Sequence, residues 1–474
     1  METEGSRAAP AEDTSTASYR TIALIIASAL FMEQLDATVL ATAIPTMAHD
    51  FQVRAPQMSV ALTAYLLALA VFIPASGHAA DRWGAKNVFR VAIGVFMAGS
   101  LACAVAPSLP VMAVSRFVQG IGGAMMVPVG RLVLLRSVSK RDLVAAYSWM
   151  LVPGMVGQIS GPPIGGFIVT YLHWRWIFRI NLPIGIAGIF LVTRFIPDFR
   201  ETLLRPFDWL GFALSGIALS AALFGFETSG HGAPISIAGP LLATALVFGL
   251  LYVRHAARTA HPILDLSLLS IPTFRLSFLG GSLTRITQGA QPFLLPLMMQ
   301  LAFGLNAAQS GLITFGTSLG TFTMKWLVGP ILRRLGFRNS LTLIGLFAAS
   351  CYAICGLFRP GWPFPLIFAV LVVSGFLMSF QFTAYNTIAF DEIEPERMSG
   401  ANTFYSTFQQ LTLSLGICTA AATLHVSTSI AGRAVPAFAD FSAAFWVVTG
   451  ISLCAFFANI RFDPQAGREM SGAL

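Results

Sequence analysis

The sequence predicts an all-α protein that crosses a membrane many times, and its composition carries this prediction. Hydrophobic residues make up 55% of the 474 residues and charged residues only 11%, against roughly 25% charged residues in soluble proteins. The 29 basic and 21 acidic side chains are too few to cover the surface of a soluble chain of this length. Five cysteines do not suffice for a secreted disulfide scaffold, and the apolar excess excludes intrinsic disorder.

The apolar segments have the length of membrane-spanning helices, which need about 20 residues each. They lack the period-two alternation of barrel strands, so helices are predicted. The chain contains fourteen such segments, at 20–45, 57–79, 88–107, 110–135, 144–171, 175–196, 208–227, 234–254, 274–302, 309–328, 340–358, 364–389, 398–426 and 441–460.

Lysine and arginine concentrate in alternate loops, and this bias predicts the orientation. The rich loops hold Arg82, Lys86, Arg90, Arg131, Arg136, Lys140, Arg141, Arg194, Arg200, Arg205, Arg254, Arg258, Arg275, Arg333, Arg334 and Arg338. The other loops hold only Arg54, Arg175, Arg179, Arg359 and Arg433. Basic loops remain in the cytoplasm, so both termini are predicted to be cytoplasmic. This distribution also argues against a nucleic-acid partner for the net charge of +8.

An internal repeat divides the chain. The segment from Gly77 to Lys86 and the segment from Gly329 to Arg338 share Gly, Arg, Gly and a basic residue at the same spacing. Each follows the second helix of a six-helix set if spans 7 and 8 are an inserted pair, and such duplication is typical of alternating-access carriers. The predicted units are a disordered cytoplasmic tail (1–19), an N-terminal half (20–196), an inserted pair with its loops (197–272), a C-terminal half (273–461) and a second cytoplasmic tail (462–474).

Charged residues within the spans are the first candidates for function, because charge in lipid persists mainly where it faces a cavity or a partner. Glu33 and Asp36 are three residues apart on one helix face, and Arg116 and Gln119 lie in span 4. Two close carboxylates in a partly dry site suit reversible proton binding, and Asp36 is favoured over Glu33. The alternative is that one carboxylate only pairs with Arg116.

Two glycine-rich motifs suggest moving parts. In the loop formed by Gly77, Asp81, Arg82, Gly84 and Lys86, Asp81 can pair with cations and cap the next helix, which would latch an inner gate. A plain stop-transfer loop would explain its basic residues but not the Gly-Asp-Gly frame. In span 5 the motif comprises Gly157, Gly161, Pro162, Gly165 and Gly166, which allows a bent helix to approach its neighbours closely.

Polar residues in the spans are candidates for a substrate cavity. Arg285, Gln288 and Gln291 repeat at helical spacing, and Lys325 adds a second cation in the C-terminal half. The candidate residues are Tyr65, Gln158, Arg285, Gln288, Gln291, Lys325, Gln381 and Asn386. The alternatives are that amides only hydrogen-bond between helices and that Lys325 extends to the membrane interface.

Sites for other chemistry are not predicted. The sequence contains no Walker A phosphate loop and no nucleophile–base constellation, so neither ATP-driven pumping nor an enzyme is expected. Cys351 and Cys355 are one turn apart but have no histidine or carboxylate partner, so no metal is expected. We expect no cofactor, with a proton gradient as the energy source.

With these motifs established, the chain resembles the major facilitator superfamily, in its fourteen-helix drug:proton antiporter branch. The resemblance rests on Leu35–Pro45, the loop Gly77–Lys86, Arg116–Gly123, Gly157–Gly166 and Trp174–Gly185, and it covers residues 20 to 460. Within the branch, the segment Gly123–Arg131 and Lys325 look most similar to the MdtD-type bacterial exporters.

The resemblance implies two six-helix halves around an inserted pair and a monomer in the bacterial inner membrane. It implies proton coupling by Asp36 and Arg116, an inner latch at Asp81 and an antiporter bend at Gly161 and Pro162. The expected activity is proton-coupled export of small lipophilic or amphipathic compounds. Organic anions or metal chelates such as citrate, and less favourably an importer, remain alternatives. Ala41 and Ala85 depart from the branch pattern, and Glu33 could add a second proton site.

Overall fold

The computed structural model describes residues 19–138, 142–197 and 206–471, which form α-helices and short turns without a β-strand. The predicted tail up to residue 18, as well as Lys140, Arg141, Arg200 and Arg205, lie outside these residues. The main helices are α1 Tyr19–Asp50, α2 Ser59–Trp83, α3 Ala85–Val105, α4 Leu109–Ser137, α5 Leu143–Tyr171, α6 Trp176–Phe195, α7 Trp209–Gly230, α8 Ile235–Ala256, α9 Pro272–Leu297, α10 307–335, α11 337–355, α12 Phe364–Ile388, α13 Met398–Ile430 and α14 Phe438–Asn459.

The helices agree with the predicted membrane spans. Among the described residues, eleven helices are long and apolar enough to cross a bilayer, and one of them is the continuous segment Ala307–Cys355, which holds both α10 and α11. Helices α5 and α9, with 29 and 26 residues, also exceed the length that a bilayer needs. Each of the fourteen predicted segments therefore corresponds to a helical segment.

Two glycines at equivalent positions of the internal repeat separate consecutive helices. Gly84 has a φ of 85° between α2 and α3, and Gly336 has a φ of 69° between α10 and α11. L-residues with a side chain rarely adopt this left-handed region. The sequence predicted a loop from 329 to 339, whereas the structure keeps this stretch helical up to the glycine. Exposed Arg333 and Arg334 show why hydropathy ended the span early, since the helix continues as a polar extension.

The inserted helices join the bundle on one side. Helices α7 and α8 pack against each other, and α7 also contacts α2 and α13, which belong to the two predicted halves. Helix α8 leaves most of its apolar surface exposed, as expected for a helix that faces lipid. The pair is therefore attached through α7.

The two ends of the bundle differ in how tightly the halves approach. We call the end with the turns at Gly84 and Gly336 the basic end, and the end with residues 51–58 and 303–306 the opposite end. At the opposite end, the Gln300 side chain donates to the carbonyl of Thr42 at 3.0 Å, and the backbone N–H of Ala308 donates to Thr170 Oγ1 at 2.9 Å. These hydrogen bonds join the predicted halves and close this end.

Glycine in α5 permits this closure. A methyl group placed on Gly166 would lie 2.4 Å from the carbonyl oxygen of Ala307 in α10, and one on Gly311 would lie 2.2 Å from the carbonyl oxygen of Pro162. Only hydrogen fits at such backbone-to-backbone approaches. We expect Gly166→Leu to hold α5 and α10 apart, and to lower transport at least about tenfold while the protein still inserts. We would measure transport and membrane abundance of both Gly166→Leu and the control Gly94→Leu. A side chain at position 94 would meet open space. Normal transport by Gly166→Leu would contradict this expectation.

The first residues of the predicted C-terminal tail pack against the bundle. Phe462 is buried, and the N–H of Gly467 donates to Asp391 Oδ2 at 2.8 Å. A methyl group on Gly467 would lie 2.4 Å from the ring of Phe337. The segment packs against α11 through the buried Phe462 and the close contact of Gly467. These two residues stand in a short, mostly polar stretch, so hydropathy alone does not reveal this packing.

Candidate transport site

A cavity of about 1130 Å³ opens at the basic end. Helices α1, α2, α4 and α13 contribute most of its wall, and residues 206–208 and 261–263 complete it near the opening. Since the opposite end is closed, the cavity is accessible from one side only. This is the geometry of one state of an alternating-access carrier.

Glu33 brings a carboxylate to this cavity. Its side chain is buried but lines the wall, and its Oε2 atom has no hydrogen-bond partner among the described residues. An unpartnered buried carboxylate is costly, so a cation or a proton from the cavity would stabilise it. Arg131 also lines the cavity and is exposed. Its charge acts on Glu33 from a distance and can be solvated.

Helix α13 supplies the facing wall with a polar stripe. The stripe lies on one face of the helix because its members recur every three or four residues. It consists of Ser399, Asn402, Thr403, Ser406, Gln409 and Gln410. These neutral groups can donate or accept hydrogen bonds without fixing the charge of a ligand.

Asp36 and Arg116 form a buried ion pair one turn from Glu33. The Arg116 Nη1 atom lies 2.5 Å from Asp36 Oδ2, and neither side chain is exposed by more than 1%. The Arg116 Nε atom donates to the carbonyl of Ala61 at 3.2 Å, and its guanidinium lies 4.4 Å from the ring centre of Tyr65. Burial of both charges is tolerated because each is paired and hydrogen-bonded.

Amides complete the network around Asp36. Gln119 Nε2 and Asn181 Nδ2 each donate to Asp36 Oδ1 at 2.9 Å. Gln119 Oε1 accepts from Arg116 Nη1 at 2.7 Å, and Asn181 also donates to Ser100 Oγ at 3.0 Å. Helices α1, α4 and α6 thus meet at the Asp36 carboxylate, and α3 joins them through Ser100. Protonation of Asp36 would neutralise one member of the ion pair and weaken the contacts that hold these helices together.

The predicted inner-gate loop forms contacts within the N-terminal half. Asp81 pairs with Arg136 of α4 at 3.1 Å, and Lys86 Nζ donates to the carbonyl of Thr193 in α6 at 2.9 Å. Arg82 lies against the ring of Trp83, and Gly77 lines the cavity. These contacts of the loop lie within the N-terminal half. A latch that joins the two halves would therefore form only in a conformation in which the basic end is closed.

The glycines of the predicted antiporter motif contact α1. Methyl groups on Gly157, Gly161 and Gly165 would lie 2.7 Å from the carbonyl of Phe31, 1.9 Å from Thr38 Oγ1 and 2.5 Å from Thr42 Oγ1, respectively. Asp36 lies in the same stretch of α1, so α5 packs directly against the helix that holds the carboxylate.

None of the eight residues predicted for the substrate cavity is among its lining residues. Tyr65 is buried beneath Arg116, and Gln158 and Lys325 are exposed outside the lining. Asn386 donates to a carbonyl of its own helix at 2.6 Å. Hydrophobicity locates a polar residue in a span but does not show which face of the helix it occupies.

The rest of the predicted set lies inside the C-terminal half. Gln291 donates to Ser374 Oγ at 2.9 Å, and Gln288 donates to the carbonyl of Met378 at 3.4 Å. Arg285 is buried over the ring of Tyr405, with its centre 4.6 Å away, and its Nε and Nη2 atoms have no partner among the described residues. Gln381 is also buried. None of these residues lines the open cavity.

Sequence reasoning missed two sets of site residues. Asn181 lies within the motif Trp174–Gly185, and an asparagine flanked by apolar residues in a span signals a buried hydrogen bond. The polar stripe on α13 was also missed as a unit. Its spacing of three and four residues was a signal that could have identified it.

The chain matches the family model of the Major Facilitator Superfamily over residues 26–417 and 277–472. It is 38% identical over 408 residues to the putative multidrug resistance protein MdtD of Pectobacterium carotovorum, covering 85% of this chain and 86% of that protein. It is 35% identical over 414 residues to the probable transport protein HsrA of Haemophilus influenzae, covering 87% and 89% of the two chains.

Solved structures share the fold at low sequence identity. A D-xylose–proton symporter superposes with a TM-score of 0.69 at 14% identity, over 95% of this chain and 99% of that one. A bacterial homologue of the human lysosomal transporter Spinster, in an inward-facing and unoccupied conformation, gives a TM-score of 0.65 at 12% identity over 94% and 98%. The family model and the relatives at 35–38% identity establish that the chain belongs to the major facilitator superfamily.

Proposed function

We propose that this protein is a proton-coupled secondary exporter, a drug:proton antiporter of small lipophilic or amphipathic compounds. The observation that carries the proposal is the one-sided cavity in which Glu33 presents a carboxylate, one helical turn from the buried Asp36–Arg116 pair. The names of its relatives as multidrug resistance proteins support the same substrate class. It would act as a transporter rather than an enzyme, as a monomer, without a nucleic-acid partner.

The basic end would face the cytoplasm of a bacterium, with the protein in the inner membrane and both termini inside. The excess of lysine and arginine at this end supports the orientation. The cavity would then load substrate from the cytoplasm. No cofactor would be needed, because protons entering from outside supply the energy.

Proton and substrate would compete through the carboxylates of α1. A cation in the cavity stabilises ionised Glu33 and thereby favours release of protons from the Glu33–Asp36 region. Protons that bind from the outer side would neutralise the carboxylates and expel the cation. Because binding is reciprocal, this competition couples opposite fluxes.

Organic anions are the second candidate, and Arg131 in the cavity wall favours them. Arg131 is exposed and solvated, whereas Glu33 is buried with an unpartnered oxygen. A buried charge responds more strongly to a ligand than a solvated one. Lipophilic cations are therefore the favoured class over carboxylates such as citrate.

Glu33→Gln tests the proposal through binding and transport. We expect it to weaken the binding of tetraphenylphosphonium about tenfold, the effect of losing one charge contact of about 1.4 kcal/mol. The control Glu396→Gln removes an exposed loop carboxylate and should bind normally. In proteoliposomes with an acidic interior, the wild type should accumulate tetraphenylphosphonium and not citrate. Accumulation of citrate alone, or of neither compound, would contradict the cation exporter.

A further inference from the structure

The opposite end contains a buried carboxylate that the proton-coupling network does not use. Glu227 lies in the last turn of α7 and is buried. It accepts a hydrogen bond from the Ser59 hydroxyl at the start of α2 and another from Cys418 Sγ of α13 at 2.8 Å. One side chain of the inserted pair therefore connects helices of both halves at the closed end.

His231 caps this arrangement just beyond the end of α7. Its Nδ1 atom lies 2.8 Å from the carbonyl oxygen of Glu227, and its Nε2 atom lies 3.2 Å from the carbonyl oxygen of Pro56. A carbonyl oxygen can only accept, so only the doubly protonated imidazolium donates to both. The Glu227 carboxylate lies 3.7 Å from Nδ1, within reach of an ion pair with the imidazolium.

The surrounding titratable groups are few. His425 of α13 faces His231 with ring centres 6.3 Å apart, and Cys418 lies on the other side of Glu227. Arg54, in the segment before α2, acts on His425 from a distance. The contact of His231 with the Glu227 carbonyl lies within α7 and its end, whereas the contact with the Pro56 carbonyl exists only while α7 remains against the segment before α2.

We propose that Glu227 and His231 form a second proton-binding site, which holds the opposite end closed when His231 is protonated. Opening this end must separate α2 from α13 and thus break the contacts of Glu227 with Ser59 and Cys418. Separation of α7 from Pro56 also returns His231 to water. Closure should therefore bind a proton at His231, so that acid on this side favours closure and alkali favours opening.

The proposal uses the alternating access of the proposed function but not the role of Asp36, so the two can fail separately. It assigns a task to the inserted pair, which is the transmission of external pH to the closed end. Proton-coupled transport would still operate through Asp36 if this site were absent, with an altered dependence on the pH of the opposite side.

Distance measurements between spin labels test the site without any substrate. Labels at Pro107 and Gly361, both exposed at the opposite end in different halves, report its opening, with the accessible Cys351 and Cys454 replaced by serine. From about pH 5.5 to about pH 8.5, which brackets the ordinary histidine range, the ratio of short to long distances should fall at least about fivefold.

Variants separate His231 from the other groups. His231→Gln should remove most of this pH response, and His231→Lys, a permanent cation, should keep the end closed at both pH values. Glu227→Gln should reduce closure at both. The control His49→Gln changes an exposed histidine at the same end and should respond like the wild type. An unchanged distance distribution in the wild type, or a full response in His231→Gln, would overturn the proposal.

Discussion

Asp36→Asn should abolish uphill transport while leaving the protein folded in the membrane. Asparagine keeps the shape of the side chain and can still accept hydrogen bonds from Gln119 and Asn181, which contact Asp36 Oδ1 at 2.9 Å. It cannot release a proton, so the exchange of proton for substrate stops. We expect the accumulation driven by a proton gradient to fall at least about 100-fold, in line with loss of an essential proton-transfer group.

The test must separate coupling from folding. Uphill accumulation and downhill exchange of tetraphenylphosphonium are measured with the same proteoliposomes. Asp36→Asn should retain part of the downhill exchange, because it imitates the protonated form. The control Asp463→Asn changes an exposed carboxylate and should transport normally. Undiminished uphill accumulation by Asp36→Asn would refute the role of Asp36.

Arg116→Ala should strongly destabilise the protein. The buried Asp36 carboxylate would lose its partner at 2.5 Å, and Tyr65 would lose the guanidinium above its ring. Removal of one member of a buried ion pair costs about 3–5 kcal/mol. Thermal unfolding in detergent measures the effect, which should be a lower midpoint and reduced yield.

A second substitution shows whether charge or packing is responsible. Asp36→Asn combined with Arg116→Gln removes both charges and should unfold at a higher temperature than Arg116→Ala. Arg116→Lys keeps the charge but cannot reproduce the contacts with Ala61 and Tyr65, because lysine lacks the planar fork of arginine. If the double variant were no more stable than Arg116→Ala, packing rather than the ion pair would explain the loss.

The bundle follows from composition, because apolar segments of about 20 residues have few alternatives to helices in lipid. The internal repeat identified Gly84 and Gly336 as equivalent positions, and both adopt a positive φ. Where the helices end was harder to predict. The helix that leads to Gly336 extends beyond its apolar segment. Hydropathy does not mark its end, because a helix can continue with polar residues outside the bilayer.

The candidate site was only partly predictable. Asp36, Arg116 and Gln119 stood out because charge and amides are rare in spans, and the structure brings them together. The residues predicted for a substrate cavity do not line the cavity of this structure, because tertiary packing decides which side of a helix faces it. Arg285 attracted attention by its charge yet lies within the C-terminal half, whereas the neutral stripe with Asn402 and Gln409 lines the cavity.

The central claim is that substrate and protons compete for the carboxylates of α1, and proton release on substrate binding tests it most directly. Tetraphenylphosphonium is added to the purified protein in weakly buffered detergent solution, and the pH change is recorded with an indicator dye. We expect release of about one proton per bound cation by the wild type, following linkage, and a much smaller release by Asp36→Asn combined with Glu33→Gln. Binding of the cation by the wild type without proton release would contradict it.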